Sequence, residues 1–85
     1  MPTRMIPLNQ LVPGQMGTVQ QIGGKRAIRR RFMEMGLVRG AQVLVERVAP
    51  LGDPVEFKVK GTHLSLRKAD AASILVNMVN GSTNG

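Results

Sequence analysis

The sequence predicts a mainly β fold, a small barrel of short strands braced by one amphipathic helix, and three observations carry that reading. The chain has 85 residues, enough for one domain whose core removes only a little over half of the unfolded surface from water. Short β-rich stretches separated by Gly and Pro fill most of it, and at this size a closed or nearly closed barrel leaves few sheet edges exposed. Helical spacing occurs chiefly at residues 25–40, which also hold most of the charge and two glycine stops.

In that segment Ile28, Phe32 and Met35 fall at i, i+4 and i+7 on one helical face, while Arg29, Arg30 and Glu34 point the other way. Gly36 follows the last periodic residue. A helix commonly ends there in a left-handed residue that only Gly adopts without steric cost, so this helix stops at Met35. Gly40 precedes a β-branched run, and Leu37, Val38 and Arg39 turn the chain from helix into strand.

Before the helix, residues 1–5 have no period and read as loose. Leu8 and Leu11 make a helical or 3₁₀ turn, a plug and not a strand, before Pro13 and Gly14 reverse the chain. Residues 18–22 read as the first strand, which Gly23 and Gly24 release into the helix. Residues 41–49 read as the longest strand, with Val43 and Val45 on one face and Leu44 and Val48 on the other. In residues 55–60, Val55, Phe57 and Val59 alternate strictly with Glu56, Lys58 and Lys60. Gly61 and Thr62 suit a two-residue hairpin loop into residues 63–67, where Leu64 and Leu66 continue the inward face. A short helical turn within residues 68–73 leads to the last strand, 74–79, with Ile74, Val76 and Met78 on one side. The domain spans residues 1–79, and residues 80–85, only Asn, Gly, Ser and Thr, read as a disordered tail.

Formal net charge is +7. Residues 25–39 contain six basic side chains, Lys25, Arg26, Arg29, Arg30, Arg31 and Arg39, against Glu34 alone. Such a patch favours acidic protein surface, nucleic acid or anionic lipid, and charge alone does not choose among them. Cysteine is absent, which excludes disulfides, thiolate metal sites and thiol nucleophiles. No apolar run approaches the roughly 20 residues of a membrane span, and residues 1–13 lack the apolar core of a signal peptide, so the expected location is cytoplasmic.

Catalytic chemistry is not readable. His63 is the one histidine, on a strand edge with no carboxylate at an orienting sequence spacing, and Glu34, Glu46, Asp53, Glu56 and Asp70 are scattered over different elements. Gly23-Gly24-Lys25 before a helix invites comparison with a phosphate loop, but it lacks the first glycine and the Ser/Thr and reads as a strand-to-helix turn. One histidine with dispersed acids offers no preformed metal site, and Met33, Met35 and Met78 read as core filler. In the loop Pro50-Leu51-Gly52-Asp53-Pro54 the prolines stop sheet pairing, Gly52 permits a tight turn and Asp53 can cap backbone N–H groups. Leu51 at its tip is either an isolated exposed leucine or an anchor for a partner.

Arg31-Phe32-Met33-Glu34-Met35-Gly36-Leu37-Val38-Arg39-Gly40 resembles the helix-to-strand motif of the FeoA family, the small cytosolic accessory proteins of bacterial ferrous iron uptake. Arg47-Val48-Ala49-Pro50-Leu51-Gly52-Asp53-Pro54 is similar to that family's loop motif, and His63-Leu64-Ser65-Leu66-Arg67-Lys68-Ala69-Asp70 to its penultimate strand and following turn. With Leu8, Leu11 and Gly14 the match runs from residue 8 to about residue 79, and order and spacing together make it specific. Arg39 departs from it, standing where the family often has proline. The resemblance implies an SH3-like barrel, in keeping with the helix read between the first and second strands, a link to transition-metal ions, and action on FeoB, a membrane ferrous-iron transporter with a cytosolic G-protein domain.

The expected function is therefore a non-enzymatic module with no cofactor, binding FeoB through Arg29, Arg30, Arg39 and Leu51. The alternative is a basic small-barrel RNA-binding module, since Arg29, Arg30 and Arg31 could clamp phosphates. Two Phe and no Tyr or Trp leave that alternative without stacking platforms. A third reading is a plain solvated helix face with Arg30 and Glu34 as an i, i+4 pair worth about 0.3–0.5 kcal/mol.

Overall fold

Strict alternation makes Val55–Val59 a strand with one dry face: Val55, Phe57 and Val59 are buried, whereas Lys58 is exposed. This strand, β4, lies inside one antiparallel sheet. In the computed structural model, which describes residues 5–79, the elements run β1 (Met5–Pro7), a 3₁₀ turn (Leu8–Gln10), β2 (Met16–Ile22), α1 (Arg26–Glu34), β3 (Gln42–Val48), β4, β5 (Thr62–Leu66), α2 (Lys68–Ala71) and β6 (Ile74–Met78). The strand order is β1-β6-β2-β3-β4-β5. The expected plug at Leu8 and Leu11 is present, with Leu8 at 0% and Leu11 at 4% exposure. Residues 1–4 and 80–85, where a loose start and a disordered tail were expected, lie outside the described residues. Met5 itself is not loose, because it pairs with Asn77 of β6 in a strand that the sequence pattern did not announce.

Both long strands carry a one-residue bulge, and each bulge changes which side chains reach the core. Between Val45 and Arg47 the register of β3 on β4 shifts, so Val43, Val45 and Val48 stand opposite Val59, Phe57 and Val55. Val48 therefore shares the face of Val43 and Val45, contrary to the alternation expected for an unbroken strand. The extra residue Glu46 advances the chain by one position and bends it. The same shift between Val19 and Gln21 in β2 sets Val19 opposite Val76 and Ile22 opposite Ile74.

The hairpin between β4 and β5 closes one residue earlier than expected. Val59 faces Thr62, and the two loop residues are Lys60 and Gly61, both at positive φ (52° and 80°). That pair of left-handed residues matches the right-handed twist of the strands it joins. Leu64 opposite Phe57 and Leu66 opposite Val55 keep their inward side.

Helix α1 ends in two reverse-turn bonds. The Gly36 N–H donates to the Met33 carbonyl (3.0 Å) and the Leu37 N–H to the Phe32 carbonyl (2.9 Å), with Gly36 at φ +93°. This folds Leu37 back into the core at 0% exposure beside Phe32 at 3%. Next, the Ala41 N–H donates to the Val38 carbonyl across a turn with Gly40 at φ +91°. Arg39 occupies that turn's second position, where proline is common and other residues are tolerated. None of the described helices is long and apolar enough to cross a membrane.

Candidate interaction surface

Helix α1 presents two opposed stripes. At 100° per residue, Ile28, Phe32 and Met35 fall on one side, and Arg26, Arg29, Arg30 and Met33, at i, i+3, i+4 and i+7, fall on the other. The first stripe faces the core, with Phe32 buried and Ile28 and Met35 half-buried against it. The second is wholly exposed and, with Ile22 at the end of β2, lines an open groove. Arg31 lies toward the core side, where it borders a recess with Arg67 and Asp70.

The expected contact residues separate in the structure. Arg29 and Arg30 stand side by side in the groove, whereas Arg39, exposed in the turn after the helix, and Leu51, 97% exposed at the tip of the β3–β4 connection, do not line it. Arg26, counted only in the basic patch, and Met33 and Ile22 were not expected to join Arg29 and Arg30. For Arg26 and Met33 the signal was available in the second helical stripe, which a search for apolar periodicity passes over because three of its four members are arginine; Ile22, on β2, carried none. Met33 (52% exposed) and Met78 (38% exposed) are not core filler. Met33 lies on the helix side away from the core, and Met78 is the last residue of β6, where the sheet ends.

None of the α1 arginines has an ion-pair partner among the described residues. Among the described residues the ion pairs are Arg47 Nε to Glu56 Oε1 at 2.9 Å and His63 Nδ1 to Glu46 Oε1 at 2.7 Å. The expected Arg30–Glu34 pair is absent. Its small gain in open solvent does not hold two long side chains in one geometry. The start of α1 adds to the positive field: Lys25 is the N-cap and offers no capping side chain, and no acid lies in the first turn.

His63 does have an orienting carboxylate, contrary to the sequence reading. The register places His63 opposite Lys58 on β4, and the β3 bulge brings Glu46 within reach, so the imidazole Nδ1 N–H donates to its carboxylate. No three His, Asp or Glu side chains come together as a metal cage among the described residues. Asp53 caps at a distance and not within its own loop, its Oδ1 accepting from the Lys68 N–H at the start of α2 (2.9 Å). The Gly23 N–H donates to the Ser73 carbonyl (2.7 Å), so the glycine pair pins the end of β2 to the α2–β6 corner. Phe32 and Phe57, the only aromatic residues of the sequence, are both buried, so no ring faces solvent for base stacking.

A six-stranded antiparallel sheet with one outward cationic helix face defines a small domain of the SH3-like kind. The FeoA domain family model matches residues 6–78, and the chain belongs to that family of small accessory domains. It is 36% identical over 72 residues, 85% of its length, to the Fe(2+) transport protein A/Fe(2+) transporter FeoB fusion protein of Porphyromonas gingivalis, and it spans 8% of that protein. It is similar to the solution structure of the FeoA protein from Chlorobium tepidum, with a TM-score of 0.85 and 39% identity, covering 93% of this chain and 75% of that one. The zinc complex of Stenotrophomonas maltophilia FeoA, described as a procaryotic SH3 domain protein, superposes with a TM-score of 0.69 at 30% identity, covering 82% of this chain and 87% of that one.

Proposed function

We propose that this chain is a non-enzymatic cytoplasmic accessory module that binds the cytosolic region of a FeoB-type ferrous-iron transporter and modulates its activity. The observation that carries the reading is the Porphyromonas gingivalis protein, in which a domain similar to this one is part of the same polypeptide as FeoB. Fusion holds two domains at high effective concentration, an arrangement that favours partners acting on each other. Of the four expected contact residues, Arg29 and Arg30 stand together and supply a positive surface that steers an acidic partner, whereas Arg39 and Leu51 are exposed outside it.

The test is calorimetric titration of the purified chain into the cytosolic region of the FeoB-type transporter from the same organism, with nucleotide hydrolysis by that region measured alongside. Saturable binding that weakens in the Arg29→Glu/Arg30→Glu variant, with circular dichroism and melting temperature unchanged, is the expected result. Absence of binding at low salt overturns the reading.

A further inference from the structure

We propose that the outward stripe of α1, Arg26, Arg29, Arg30 and Met33 with Ile22 beside it, is a docking groove for an acidic protein segment carrying one aliphatic or aromatic anchor side chain. The inference rests on the partner-binding reading above and narrows it to one helix face. That face excludes Arg39 and Leu51.

Three observations converge on this occupant. Met33 is half exposed on the side of the helix opposite the buried Phe32 stripe, where packing does not require an apolar residue. Its flexible, polarisable thioether adapts to a partner's side chain, and half-buried Ile22 gives the groove a second apolar wall. Three guanidinium groups line the same groove, and none has an acid partner among the described residues. Carboxylates on the incoming segment match them in fork geometry. The helix also begins without a capping side chain or an acid in its first turn and carries Lys25 and Arg26 there instead. The positive end of the helix dipole therefore reinforces the same sign of charge.

The alternatives fit less well. A membrane-surface site gains from Trp or Tyr at the headgroup level and a nucleic-acid site from exposed rings. This chain has neither Trp nor Tyr, and both phenylalanines are buried. A groove that sets apolar side chains beside unpaired guanidinium groups instead suits a protein interface, where arginine is enriched and an apolar anchor packs next to it.

The full chain is to be titrated with the cytosolic region of the FeoB-type transporter. It is also titrated with a synthetic acidic helical peptide bearing one leucine, with the same peptide bearing serine instead, and with phosphatidylglycerol vesicles. Met33→Lys and Arg26→Glu are both exposed substitutions that leave the fold intact. Each is expected to weaken transporter binding by about tenfold or more, whereas Leu51→Ala and Arg39→Glu change it by less than about threefold. The leucine peptide is expected to bind more tightly than the serine peptide, and Met33→Lys is expected to abolish that preference.

Transporter binding that Met33→Lys and Arg26→Glu leave unaltered overturns the groove while leaving the partner reading in place. Absence of transporter binding removes the partner reading, and the two peptides then decide the groove alone. Equal affinity for both peptides overturns it, as does Met33-dependent binding to vesicles without discrimination between the peptides.

Discussion

Gly17 of β2 lies so close to Val76 of β6 that a Cβ on it would stand 2.7 Å from Val76 Cγ2 and 2.9 Å from Val76 Cβ, with Leu11 Cδ1 at 3.1 Å. The pairing of β2 with β6 and the seat of Leu11 both depend on that missing side chain. Its requirement is one of space, since its backbone is not left-handed.

Gly17→Ala is therefore expected to cost about 1–3 kcal/mol, because the crowding falls on buried, branched Val76 and not on a flexible side-chain tip. Urea denaturation measures it. Adding Val76→Ala should recover part of the loss, so the double variant is less destabilised than the sum of the two single variants. Strict additivity would mean that the two residues are not in conflict.

Phe32→Ala should destabilise by about 3–5 kcal/mol, since the ring is buried where α1 meets the sheet. Native domains are stable by only about 5–15 kcal/mol, so the variant is expected to be largely unfolded at elevated temperature. Thermal melting followed by circular dichroism checks this, and an unchanged melting temperature would detach α1 from the core.

Lys25→Ser should raise stability by about 0.5–2 kcal/mol. Lys25 already has the extended backbone of an N-cap (φ −70°, ψ 154°) and lacks only an acceptor oxygen for the first free N–H groups of α1. The same change removes a positive charge next to the proposed groove. A gain in melting temperature with weaker transporter binding is the expected combination, measured by calorimetry on one preparation.

Glu46→Ala should alter stability by less than about 1 kcal/mol, because the His63–Glu46 pair is solvent-accessible, with the His63 side chain 69% exposed. A larger loss by urea denaturation would show that the bulge itself depends on the carboxylate.

Much of this architecture was legible locally. The Ile28, Phe32 and Met35 spacing, the Gly36 stop and the Val55, Phe57 and Val59 alternation needed no knowledge of the rest of the chain, because helical and strand periods are properties of neighbouring residues. The FeoA family was legible too, in the order of three short motifs. The face of Val48, the pairing of Met5 and the partner of His63 were not. Met5 pairs with the last strand of the chain, and the other two follow from the β3 bulge, a bend that leaves no local periodic signature.

The sequence by itself thus determined one short helix with a dry side and a cationic side, a set of strands with their turns, and the family. Only the tertiary structure decided that Ile22 joins the outward stripe of Arg26, Arg29, Arg30 and Met33 in one groove while Arg39 and Leu51 stand outside it. The physical reason is that periodicity assigns a residue to a face of its own element, whereas proximity between elements is set by register, bulges and close approaches such as Gly17 against Val76.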